Sequence, residues 1–119
     1  MSSIILYGIK NCDSVKKSCK WLDNNCINYC FHDFHKHGIT KSIINEFLEN
    51  IEIERLINKR STTWKKLSEK EKKGLFKPKI IELLLKNPTL IKRPVIKTKN
   101  KFLVGFDQKK FEELILFIR

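Results

Sequence analysis

The hydrophobic period of this chain changes twice within its first 34 residues, and that change restricts what the chain can fold into. Ile4-Ile5-Leu6-Tyr7-Gly8 is a short apolar run of strand formers closed by a glycine, and it reads as a buried strand. From Asp13 the spacing turns helical. Val15, Cys19, Trp21, Leu22 and Cys26 recur on an apolar face, with Lys16, Lys17 and Lys20 between them. Asp13 and Ser14 suit the cap or first turn of that helix, and Asn24-Asn25 supplies a stop. Ile27 to Phe34 then alternates with period two, as a half-buried strand does. Strand, helix and strand in so short a stretch predict a βαβ unit with parallel strands.

The middle of the chain offers helices and no strand. His35 to Gly38 is a polar turn, and Thr40 opens a helix carrying Ile43, Ile44, Phe47 and Leu48. Ile53, Leu56 and Ile57 continue the apolar spacing in a short second segment. After the polar stretch Asn58 to Thr63, the run from Leu67 to Phe76 reads as one helix. Pro78 can begin the next, Ile80 to Lys86, which stops at Asn87-Pro88. Strands then return. Val95 to Thr98 and Phe102 to Gly105 flank a polar turn at Lys99-Asn100-Lys101 and predict a hairpin. Asp107 can cap a last helix with Phe111, Leu114, Ile115 and Ile118 on its buried face. The order βαβ, helical insertion, ββα is that of an α/β, thioredoxin-like domain with a mixed four-stranded sheet. With 119 residues, one domain is expected: 1–35 and 89–119 form the core, and 36–88 the insertion.

Composition excludes several classes. No apolar run approaches the ~20 residues of a membrane span, and the first residues lack the basic region of a signal peptide, so the cytoplasm is the expected location. The net charge of +12 suits a polyanion partner, but the excess is almost all Lys, scattered over nearly every predicted helix. The chain is also rich in Ile and Asn, as A/T-rich coding DNA would give, and nucleic acid is not the expected partner. Cysteines stand at 12, 19, 26 and 30, with no C-x2-C pair, so neither a zinc pattern nor a disulfide framework is expected. Cys19 and Cys26 fall on the apolar face of the first helix, where packing is their expected role. Cys30 lies in the second strand without an expected catalytic role.

Cys12 is different. It sits between a buried strand and a helix N-terminus, in Gly8-Ile9-Lys10-Asn11-Cys12-Asp13-Ser14. Unpaired N–H groups and the positive dipole end favour an anion there, and a thiolate is an anion. Lys10 and Lys16 add positive charge, which Asp13 opposes. Two further stretches can supply cationic anchors. Lys59-Arg60-Ser61-Thr62-Thr63-Trp64 is a polar loop whose Arg offers a bidentate fork, and Lys92-Arg93-Pro94 precedes the hairpin with a proline able to be cis.

These residues resemble the arsenate reductase-like (ArsC/Spx) branch of the thioredoxin superfamily, which includes the Spx-type transcription regulators. The resemblance spans essentially the whole chain, from Tyr7-Gly8-Ile9-Lys10-Asn11-Cys12-Asp13 to Val104-Gly105-Phe106. It is greatest to the YffB-like subgroup, with Asn58 to Lys65 and Asn87 to Val95 as its other signatures. The resemblance implies Cys12 as nucleophile, Arg60 and Arg93 as holders of an oxyanion or thiolate, and Pro94 as a cis-proline. Lys10, Asn11, Asp13, Ser14 and Pro94 would contact substrate or glutathione. No metal and no tightly bound cofactor is implied, with glutathione as co-substrate and a monomer expected.

Two departures narrow the expectation. Arsenate reductases of this type place a third Arg in the last hairpin, where this chain has Leu103-Val104-Gly105-Phe106-Asp107. Spx-type switches carry a C-x-x-C, where this chain has Cys12-Asp13-Ser14-Val15. A monothiol that needs an external resolving thiol is expected, acting on a thiol or oxyanion substrate. The alternative is an Spx-type module that docks on RNA polymerase or another protein without a redox switch.

Overall fold

The computed structural model describes residues 4–118; the side chains of Ile115, Phe117 and Ile118, with the expected burial of Ile115 and Ile118, lie outside it. The chain divides into two compact units. His37–Lys92 forms one, and the described residues before and after it form the other.

The first unit carries β1 (Ile5–Gly8), α1 (Asp13–Asn24), β2 (Cys30–Asp33), all but the last residue of the single turn α2 (Phe34–His37), β3 (Val95–Lys97), β4 (Phe102–Val104) and α8 (Gln108–Ile118). The strands pair in the order β2-β1-β3-β4, with β1 parallel to β2 and antiparallel to β3. This is the mixed four-stranded sheet that the element order predicts. Register explains the core. Leu6 lies opposite Ile96, and Ile96 opposite Leu103, so three strands present one apolar row. Val15 and Leu22 of α1 and Phe111 and Leu114 of α8 complete the buried cluster. The ring of Phe111 meets Trp21 at 5.3 Å and Phe106 at 5.1 Å between centroids, both edge-on. Asp107 caps α8 as expected, its carboxylate accepting from the Lys110 N–H at 3.2 Å.

Two expectations for this unit fail. The second strand is Cys30–Asp33, not Ile27 to Phe34. The Ile27 N–H still bonds the Leu22 carbonyl of the helix end, and the Asp33 carboxylate accepts from the His35 N–H, turning the chain into α2. Cys26 is not on the apolar face of α1. It lies past the helix end, exposed, with φ at 56°.

The second unit is helical: α3 (Lys41–Asn50), α4 (Ile53–Leu56), α5 (Thr62–Lys66), α6 (Glu69–Lys73), α7 (Lys77–Lys86) and a 3-10 turn at Pro88–Leu90. Thr40 caps α3 as expected, accepting from the Ile43 N–H. The helix expected from Leu67 to Phe76 is only α6, because Ser68 stops the chain and restarts it. Its hydroxyl accepts from the Glu71 N–H and its own N–H donates to the Glu71 carboxylate, both at 3.0 Å. The polar loop likewise folds into α5, with Ser61 accepting from the Trp64 N–H. α3 packs on α7, and an isolated bridge joins Ile57 to Ile91.

Candidate active site around Cys12

Gly8 ends β1 and decides how closely α1 can follow. A Cβ on Gly8 would stand 2.6 Å from Cγ2 of Val15, so the first turn of α1 lies directly on the strand end. Cys12 is the N-cap of that helix, with extended backbone (φ −135°, ψ 125°), and its carbonyl accepts from the Lys16 N–H at 2.9 Å. Its side chain makes no capping hydrogen bond. The half-buried thiol therefore stands at a helix start whose first N–H groups no side chain closes. Asp13 is exposed in the first turn, Lys10 and Asn11 are exposed on the loop, and half-buried Ser14 accepts the hydroxyl of fully buried Ser18 on its carbonyl.

The sheet register brings a second expected element to the same end. Val95 pairs with Tyr7, so Arg93-Pro94 precedes β3 where β1 hands over to the Cys12 loop. The Arg93–Pro94 bond is cis, Pro94 is buried and Arg93 half-buried. The Gly105 N–H donates to the Pro94 carbonyl at 2.8 Å, so the segment after β4 also ends there, with Phe106 packed on the core. Arg60 belongs to the second unit, exposed in the turn before α5, its N–H bonded to the Asn58 side chain.

The other thiols are free and set apart. Cys19 is seven residues further along α1, about 10 Å by helical rise, whereas a disulfide needs Cα atoms within about 7 Å. Cys26 lies past the far end of the same helix. Cys30 pairs with Ile5, at the opposite end of β1 from Gly8. Among the described residues no group of three His, Cys, Asp or Glu side chains could hold a metal ion. No described helix is long and apolar enough to cross a membrane.

One arrangement escaped the sequence reading. Burial, then a hydrogen bond and charge from Cys19, then Asp23, push the Tyr29 hydroxyl well above its ordinary range. Cys19 thus packs on the core, as expected, but also meets a phenol. No spacing signals it, because Tyr29 lies between α1 and β2, outside the period of either element. Cys19 and Asp23 also line a shallow groove of about 380 Å³ with Lys10, Lys16, Lys20 and Phe31.

The model of the ArsC family matches residues 7–114. An uncharacterized protein of Haemophilus influenzae is 42% identical over 109 residues, covering 92% of this chain and 96% of its own. Among solved structures, a YffB protein superposes with a TM-score of 0.84 at 37% identity, over 92% of this chain and 96% of that one. The global transcriptional regulator Spx of Listeria innocua is 27% identical over 114 residues, 94% of this chain and 86% of its own.

Proposed function

The chain belongs to the ArsC family and has a thioredoxin-like fold, and from that premise we propose that it is a glutathione-dependent monothiol reductase. The observation that carries this reading is the separation of Cys12, at an open helix start, from every other thiol of the chain. The Cys12 thiolate attacks one sulfur of a substrate disulfide. A Cys12–substrate S–S bond forms, and the other sulfur leaves as a thiolate that takes a proton from water. Glutathione thiolate then attacks the substrate sulfur of the adduct, so Cys12 returns as thiolate and the substrate leaves as its glutathione mixed disulfide. The Cys12 thiolate then attacks the glutathione sulfur of that mixed disulfide and frees the second substrate thiol. Another glutathione releases Cys12 as oxidised glutathione leaves, so two glutathiones are oxidised for each substrate disulfide reduced. Arg93 stabilises charge at the leaving sulfur. Lys10, Asn11, Asp13, Ser14 and Pro94 shape the pocket around the adduct.

The test is a glutathione-coupled thiol-transfer assay. Cys12→Ser is expected to lose activity completely, whereas full activity in that variant would overturn the reading. Arsenate is not the favoured substrate, since Gly105 and Phe106 stand where such reductases place their third Arg. A second reading, a protein-binding regulator, has the Listeria innocua similarity in its favour. It predicts co-elution with purified RNA polymerase that Cys12→Ser leaves intact.

A further inference from the structure

The lysine excess of this chain is spread widely, but on α1 its placement runs against helix energetics. Lys16 closes the first turn, where the positive dipole end disfavours a cation, Lys17 and Lys20 follow it, and the last turn carries no basic residue. Lys16 and Lys20 are also four apart, so the like charges repel on one face. Both are exposed, as is Lys10 on the loop two residues before Cys12. All three line the groove beside α1, with half-buried Phe31 of β2 on its apolar side. Among the described residues none of the three forms an ion pair. Asp23 is the one acid lining this groove, so its three lysines leave the lining net positive. A local rule broken twice beside a reactive loop marks a functional demand more than a folding one.

We propose that this groove is the specificity site for the carboxylates of glutathione, with Lys16 and Lys20 extending the charge of Lys10 away from Cys12. The inference rests on the reductase reading and adds where the co-substrate lies. A fully extended tripeptide spans about 10 Å. Lys16 and Lys20 lie about 6 and 12 Å along the helix from Cys12, and long lysine stems shorten both gaps. Glutathione carries a carboxylate at each end, so with its sulfur at Cys12 one end can run down the groove while Phe31 covers its stem. In the step probed, the Cys12 thiolate attacks oxidised glutathione. One Cys12–glutathione S–S bond replaces the glutathione S–S bond, and the second glutathione leaves as a thiolate.

The experiment compares three small disulfides that share this chemistry and differ in charge: oxidised glutathione (anionic), hydroxyethyl disulfide (neutral) and cystamine (cationic). The rate of adduct formation on Cys12 is read by mass spectrometry. For Lys16→Gln/Lys20→Gln, the rate with oxidised glutathione is expected to fall about three- to tenfold, as two exposed charge contacts allow. Lys16 also favours the Cys12 thiolate, so both charged rates are read relative to the neutral disulfide, against which the glutathione rate should fall and the cystamine rate rise. The contrast should fade in 1 M salt, where screening acts within about 3 Å. Lys99→Gln/Lys101→Gln, in the hairpin turn at the far end of the sheet, makes the same charge change and should alter nothing. A double variant that slows all three disulfides equally, or none, would overturn the groove assignment while leaving the reductase reading standing. A wild-type Cys12 that forms no glutathione adduct, yet is alkylated by iodoacetamide, would overturn both.

Discussion

Two helix starts in this molecule show opposite uses of the same physics. α6 begins at Ser68 with both halves of a capping box, acids in its first turn and lysines in its last. α1 begins at Cys12 with no side-chain cap, a single acid in its first turn and no basic residue in its last. The closed start holds a five-residue helix that has no buried residue of its own. The open start belongs to a helix that Val15, Ser18 and Leu22 already anchor, so its N–H groups are left for an anion. Packing makes the open end tolerable, and chemistry uses it.

The sharpest way to break this contrast is Cys12→Ser. Activity should vanish in the thiol-transfer assay. Thermal unfolding should show a protein more stable by about 1 kcal/mol, because a hydroxyl can close the helix start. A variant that loses both activity and stability would remove the contrast. Arg93→Ala acts at the same end of the sheet, and steady-state kinetics should show kcat/KM lower by about 10²-fold with stability little changed.

Gly8→Ala tests how tightly α1 is set on the strand. The new methyl group meets a stiff Val15, and denaturant unfolding should report a loss of about 1–3 kcal/mol. At the closed start, Ser68→Ala should cost about 1 kcal/mol in denaturant unfolding and leave activity untouched. The smallest effect is one of pH. The Ser68 backbone N–H, then its hydroxyl, then Lys79, hold the exposed Glu71 carboxyl below its ordinary 4.5. A lowered folded value stabilises above 4.5 and is lost as pH falls through the folded value. Wild type should therefore lose slightly more stability than Glu71→Gln on acidification below that point, read by chemical denaturation at stepped pH.

Where period and end signal agreed, the sequence was readable. Leu6, Ile96 and Leu103 alternate in runs bounded by turn residues, and they meet in register. Cys12 was legible for the same reason, because a strand that ends at Gly8 and a helix that begins at Asp13 leave it only the N-cap. The misreadings came where a short side chain bonded the backbone and overrode the period. Asp33 turned the expected strand into α2, and Ser68 cut the expected helix, although Ser68-Glu69-Lys70-Glu71 spells a capping box. Cys26 kept the helical spacing of the apolar face beyond the true helix end, because spacing carries no information about a left-handed φ. The Tyr29 contact with Cys19 was hidden because it joins a helix face to a loop, and no period links the two.

The most direct test of the account is peptide mapping by mass spectrometry after wild-type protein meets excess oxidised glutathione. The account predicts one glutathione adduct, on Cys12, with Cys19, Cys26 and Cys30 still reduced. A disulfide between Cys12 and any of those three, or adducts that spare Cys12, would contradict it.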